Sequence, residues 1–206
     1  MERGVNEMEY KNMEGYPDPT AWKALKNIEV EKYKKKLAGA KAKAQGYFFE
    51  QQIESSLRWY ESKGTMKAEK TPEPMKPIKP MGKNGQFLAC YTKRAQADFC
   101  GTMKGGRSIR FEAKQTYSDR FERRRVKEEQ MNDLREHERL GALCFVLLCF
   151  GNDRFYRVPW NTWENMKEIF GRLYVTESDI KEYRIPYEGT IRILEGLIDE
   201  REERTT

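Results

Sequence analysis

Residues 142–150 are a nearly unbroken apolar run in a chain in which 35% of residues are charged. The stretch from Leu143 to Phe150 has no polar alternation, so a strand built from it must be covered on both faces. That requirement predicts a central strand in a mixed α/β sheet, with layers packed above and below it. Asn152 and Asp153 supply a turn and residues 154–158 a returning strand, which makes a hairpin. The apolar run is well short of the ~18 residues a membrane helix needs, and no longer one occurs.

The other segments group around that strand as one domain with extensions, or two small domains at most. Residues 1–20 carry Gly4, Gly15, Pro17 and Pro19 with little apolar content and read as a flexible entry. Trp22, Leu25, Ile28 and Tyr33, then Lys34, Lys35, Lys36 and an Ala/Lys stretch, predict a helical arm ending near residue 44. After Gly46, residues Phe49, Ile53, Leu57 and Tyr60 define one apolar helix face, with Glu50 at its edge. Four prolines between 72 and 80 forbid helix and favour extended chain, and residues 87–91 read as a strand.

Residues 94–114 read as a hairpin: a strand into Asp98 and Phe99, a turn at 101–106, and a strand over 108–114. In the second strand Ile109, Phe111 and Ala113 face the core, while Arg110, Glu112 and Lys114 share the other face. Helices are expected over 122–139, mostly exposed, around 163–170, and over 191–203, where the sequence is acidic. The domain reading is an arm at 1–44, a main domain at 45–175 and a C-terminal extension at 176–206.

Several chemistries lack their residues. Cys90, Cys100, Cys144 and Cys149 form no C-x-x-C pair, and two lie inside the apolar run as buried thiols. His137 is the only histidine and reads as a surface helix residue, so multi-His metal sites and His-based nuclease motifs have no ligands. Trp160 and Trp163 read as packing groups. Catalysis would therefore run on carboxylates, amides and lysines. The polar start of the chain has no apolar signal region, which predicts a cytoplasmic protein, in a bacterial cell or a phage-infected host.

The net charge of +6 is unevenly placed. Residues 63–94 carry eight basic and two acidic residues, and residues 104–127 nine basic and three acidic, so each segment is +6 and the remainder −6. Two such segments are the footprint expected for a polyanion, since neutralised phosphates release counterions. Between and within them lie Asp98 and Glu112-Ala113-Lys114. Residues two apart in a strand project together, and the hairpin returns Asp98 beside them. Two converging carboxylates are hard ligands for Mg²⁺, and a lysine at the metal can steer water and offset charge on a pentavalent phosphate. An E-x-K pair on an exposed strand is also an ordinary weak ion pair. The hairpin, the Glu50 helix and the flanking basic segments favour the phosphodiesterase reading.

Lys70-Thr71-Pro72-Glu73-Pro74, Ala95-Gln96-Ala97-Asp98-Phe99-Cys100-Gly101 and residues 106–116, centred on Phe111-Glu112-Ala113-Lys114-Gln115-Thr116, resemble the RecU family of Holliday junction resolvases. The resemblance spans roughly residues 46–159. It implies a restriction-endonuclease-like fold of the PD-(D/E)xK class, a mixed sheet flanked by helices, acting as a homodimer on four-way DNA junctions with Mg²⁺, which Mn²⁺ would replace. It implies Asp98 and Glu112 as metal ligands, Lys114 as transition-state stabiliser, and Gln130 and Glu50 completing the metal site. It implies a stalk at about 80–92 that enters the junction, with Lys83 and Tyr91 as DNA contacts and Lys93 and Arg94 beside them. Arg107, Arg123, Arg124 and Arg125 are further candidates for phosphate. Three positions depart from the family: Gln96 replaces a Thr, Glu129 a His, and Phe121-Glu122-Arg123 a Phe-Pro-Leu segment. They bear on substrate selectivity more than on hydrolysis. The alternatives are a less selective nuclease of flaps, ends or foreign DNA, and a non-catalytic DNA-binding protein of the same fold.

Overall fold

A computed structural model describes residues 19–82, 84–92 and 96–197. The chain divides into two compact units, Met1–Gln45 and Gly46–Thr206. Helix α1 (Pro19–Ser62) runs from the first into the second without a break. The arm and the next helix, expected as separate, are thus one element. Gly39 and Gly46 each cost it about 1 kcal/mol, which good helix formers on either side offset. No described helix is long and apolar enough to cross a membrane.

In the second unit, β1 (Met66–Lys70), a ribbon of β2 (Met75–Pro80) and β3 (Phe87–Tyr91), then β4 (Phe99–Met103) and β5 (Ser108–Thr116) follow α1. After them come β6 (Arg120–Glu122), α2 (Glu128–Arg139), β7 (Leu143–Phe150) and β8 (Arg154–Pro159). The last elements are α3 (Trp160–Glu164), α4 (Met166–Phe170), β9 (Tyr174–Thr176) and β10 (Arg184–Ile185). Six strands form one mixed sheet in the order β1-β4-β5-β7-β8-β10. The β5–β7 pair is parallel, from Ile109 opposite Leu143 to Thr116 opposite Phe150, and its neighbours are antiparallel. Parallel strands need a crossover, and α2 provides it.

The apolar run is covered on both faces, as its sequence requires. Phe145, Leu147 and Cys149 pack in one cluster with Phe49, Ile53 and Leu57 of α1. Cys144, Val146, Leu148 and Phe150 pack in a second with Met131 and Leu134 of α2 and with Trp160 and Trp163. Phe99, Phe111 and Phe145 stack across three strands at centroid separations of 4.9 and 4.8 Å.

Four local expectations are corrected. The β4–β5 turn lies beyond Met103, not at Gly101, because Gly101 pairs with Ala68 and the bare backbone lets β1 approach. A Cβ at residue 101 would overlap the Lys67 carbonyl and Ala68. The helix expected over 122–139 begins only at Glu128: residues 120–122 pair with β9, and 123–125 form a 3₁₀ turn. The helix at 163–170 is two short ones that meet at Asn165. Residues 191–197 are not helix: Ile191 bridges Tyr187 and residues 193–197 are turns, with the Arg157 guanidinium donating to the carbonyls of Ile193 and Glu195; residues 198–203 lie outside the described residues.

The proline-rich segment is extended as expected, but it pairs. β2 carries Pro77 and Pro80 and bonds to β3, with a register shift between Pro77 and Lys79. A two-stranded ribbon leaves an open edge on each strand, where a missing N–H is tolerated. The pairing begins at Met75, before the expected start near residue 80.

Gly101→Ala should destabilise the protein by about 1–3 kcal/mol, because β1 or β4 must shift to admit the methyl group. Urea denaturation of the two proteins measures this. An unchanged midpoint would show that β1 moves aside freely.

Candidate active site

Strand β5 presents Glu112 and Lys114 on one face because alternate strand residues point the same way. β4 pairs with β5 so that Phe99 lies opposite Phe111, which delivers Asp98 beside Glu112. Two hydrogen bonds lock the arrangement. The Asp98 N–H donates to Glu112 Oε2 at 3.2 Å, and the Ala113 N–H donates to Asp98 Oδ2 at 3.1 Å. Lys114 Nζ reaches both carboxylates, 3.5 Å from Asp98 Oδ2 and in contact with Glu112 Oε1.

Glu112 is 0% exposed. Its Oε1 also accepts the side-chain amide of Gln130 at 2.6 Å. Gln130 is the third residue of α2, and its own oxygen accepts the Lys127 N–H at 3.1 Å. The helix start therefore engages the amide oxygen and turns the amide N–H toward Glu112. Burial pushes the Glu112 carboxyl up to about 8, the Asp98 charge adds to the rise, and Lys114 offsets part of it.

The donor set fits a hard divalent cation. Asp98 and Glu112 already converge on one positive group, the Lys114 ammonium, and once both carboxyls are ionised their two charges against one ammonium leave negative charge uncompensated where Glu112 has no solvent. Asp98 and Glu112 are the residues that would hold it. Gln130, expected as a ligand, spends its amide N–H on Glu112 and its oxygen on the Lys127 N–H. Glu50, expected in the same role, is ion-paired with Lys70 at 2.5 Å. Among the described residues, no three His, Cys, Asp or Glu side chains gather as a ligand cluster.

Two neighbours were not legible as site residues. Lys70 ends β1 and feels the charges of Glu50, then Asp98 and Glu54; the next residue, Thr71, donates its N–H to the Asp98 carbonyl at 2.8 Å. Asp133 accepts the Ala97 N–H at 3.1 Å and Arg110 Nη1 at 3.4 Å, fixing the segment that leads into Asp98. Its spacing of three from Gln130 on α2, which puts both on one helix face, was the available signal.

The expected DNA contacts are dispersed. Lys83, Lys93 and Arg94 lie outside the described residues. Tyr91 is 70% exposed at the end of β3. Arg107 precedes β5, at the opposite end from Lys114, and donates to the Gly141 carbonyl at 3.0 Å. Arg124 is paired with Glu122, while Arg125 donates to the Gln115 carbonyl at 2.7 Å and lies over the Phe121 ring. Arg123 and Arg124 line a groove with Arg120, Lys127 and Tyr174.

A family model described as Recombination protein U, RecU, matches residues 44–195. Asp98, Glu112, Lys114, Gln130 and Glu50 all fall inside that span. Among solved structures, that of Hjc, a Holliday junction resolvase from the archaeal hyperthermophile Archaeoglobus fulgidus, is similar at 14% identity and a TM-score of 0.37, over 61% of this chain and 86% of that one. No curated protein matches the chain.

The raised Glu112 carboxyl has a defined pH signature in metal-free protein. The folded state keeps a proton that the unfolded chain releases near 4.5, so this contribution to stability is present below 4.5 and lost as pH rises toward about 8. Glu112→Gln should remove that loss and leave the metal-free variant the more stable of the two at pH 8. Thermal unfolding against pH, in chelator, tests it; parallel profiles for the two proteins would contradict the burial argument.

Proposed function

The chain belongs to the RecU family, and from that premise we propose that it is a Holliday junction resolvase, a divalent-metal-dependent endonuclease that cuts four-way DNA junctions in pairs as a homodimer. Its place of action would be the cytoplasm, in recombination and repair. The observation that carries the reading is the meeting of Asp98, Glu112 and Lys114 at one point inside the matched span. A two-fold symmetric junction is matched by a dimer with two equivalent sites.

Mg²⁺, or Mn²⁺ in its place, would supply Lewis acidity toward a phosphodiester oxygen and would acidify water. The chain's own residues do the rest. Asp98 and Glu112 would provide the charge that holds the cation, and the Asp98 N–H and the Gln130 amide keep Glu112 in one orientation. Lys114 is in place to offset charge growing on the phosphate as water attacks in line and the 3′ oxygen leaves.

Asp98→Ala and Glu112→Ala should abolish cleavage while junction binding in Ca²⁺ persists. Lys114→Ala should retain fold and metal binding and lose about 10²-fold to 10³-fold in rate. Cleavage of a mobile four-way junction beside linear duplex and flapped DNA checks both points. Normal cutting by either carboxylate variant would remove the assigned site, and equal cutting of all three DNAs by the native protein would replace the junction reading with a less selective nuclease.

The ribbon is the proposed source of junction preference. The Thr92 N–H donates to the Pro74 carbonyl at 3.0 Å, so the ends of the ribbon are close enough to join. Replacing residues 75–91 by a short Gly/Ser turn leaves every pairing of the six-stranded sheet in place. The shortened protein should fold and bind metal yet lose its preference for junction over duplex. A competition between the two DNAs at fixed salt measures the preference, and its survival would exclude the ribbon from recognition.

A further inference from the structure

The matched family span begins at residue 44, and the first compact unit ends at Gln45. The arm of α1 lies outside the matched span and supplies none of the residues described above. Between Lys23 and Lys43 it carries eight lysines, at 23, 26, 32, 34, 35, 36, 41 and 43, against Glu29 and Glu31. All eight are exposed, as is every residue from 26 to 44. Among the described residues of the arm one ion pair is formed, Lys34 with Glu31 at 3.0 Å.

Such a helix stands under its own repulsion. Lys32 lies one turn from Lys35 and Lys36, and like charges at that spacing destabilise a helix. The apolar residues do not resolve this. Val30, Tyr33 and Leu37 follow one another at helical spacing and remain exposed, and lysines surround them: Lys34 and Lys41 share their side of the helix, Lys36 lies one turn from Tyr33, and Lys32 and Lys35 lie on the far side. A second copy of the arm would bring like charge against like charge; a polyanion would relieve the repulsion. The segment from residue 26 to 43 is about 27 Å long at 1.5 Å per residue. Duplex DNA offers a phosphate about every 1.7 Å along that length, more than enough for each lysine.

We propose that this arm is a second DNA-binding surface, a sequence-independent contact to the phosphate backbone of duplex DNA, outside the nuclease unit. The proposal rests on the reading that the protein acts on DNA. The arm's partner is the duplex itself, so it adds affinity for linear DNA and for the arms of a branched substrate alike, and it adds no discrimination between them. The ribbon and the arm then divide recognition into a selective and a non-selective part.

The test uses the full chain with Lys32, Lys34, Lys35 and Lys36 all changed to Gln, a residue of similar helix propensity. A second variant changes the same four to Arg, which keeps the charge. Binding to a linear duplex and to a four-way junction is measured in Ca²⁺ across a salt series, with far-ultraviolet circular dichroism as a check on helix content. The Gln variant should bind both DNAs more weakly, with a log-affinity against log-salt slope shallower by about 3–4. The Arg variant should keep the native slope, and single-turnover cleavage of bound junction should be the same for all three proteins.

An unchanged slope in a helical Gln variant, with the native protein still binding DNA steeply, would overturn the arm's role alone. Loss of the native slope in the Arg variant would overturn it too, because charge would not be the cause. Native protein that binds neither DNA would overturn both the arm and the resolvase reading.

Discussion

Glu112 holds a carboxylate at a point with no solvent contact, and the surrounding structure is arranged to make that tolerable. An unpaired buried carboxylate costs several kcal/mol, so its neighbours are constrained more tightly than packing alone would require. Asp98 must approach closely enough for its N–H to reach Oε2, which sets the β4–β5 register. Gln130 must start α2 with its amide N–H turned inward, which fixes where the crossover helix begins. Lys114 must be two residues along on the same strand. Even so, burial and the Asp98 charge hold the carboxyl up to about 8, leaving a site that gains by taking up further positive charge.

The sheet supplies the rigidity that this arrangement needs. β5 lies in the interior of the six strands, with its β7 neighbour packed on both faces, so a shift of Glu112 would disturb two apolar clusters. Gly101 has a matching role at the edge. Its missing side chain lets β1 close on β4, and β1 in turn brings Lys70 and Thr71 to Asp98. One small residue thus links the sheet edge to the acidic centre.

The parts legible in the sequence were those with a strong local pattern. The apolar run at 143–150 specified its own central position, and Glu112 with Lys114 specified a shared face by spacing alone. Asp98, separated from them by a turn, is placed by the hairpin pattern, but glycine at 101 reads as a turn residue when it is a site of close strand approach. Tertiary pairing erased other patterns. Residues 120–122 sit in a helix-favouring, charged stretch but pair with β9, and in the segment 191–197 the carbonyls of Ile193 and Glu195 accept from Arg157 in place of a helix. β1 has no strand signature of its own, because Met66-Lys67-Ala68-Glu69-Lys70 has little apolar character, and Lys70 is hidden with it. The orientation of Gln130 depends on a backbone N–H, which no residue pattern reveals.

Charge counted along the sequence also changes meaning once the fold is known. Residues 104–127 carry a surplus of basic residues, yet Arg110 is paired with Asp133, Lys114 with Asp98 and Glu112, and Arg124 with Glu122, while Arg107 and Arg125 donate to backbone carbonyls. A cation already engaged inside the protein must give up that partner to neutralise a phosphate, so it contributes less to DNA affinity than its formal charge suggests. Lys76 and Lys79 stand exposed on the ribbon, and the arm lysines are exposed throughout. The basic residues nearest the acidic centre are therefore the ones that shape and balance it, and on the proposed reading the exposed lysines of the ribbon and the arm are the ones that would meet a polyanion.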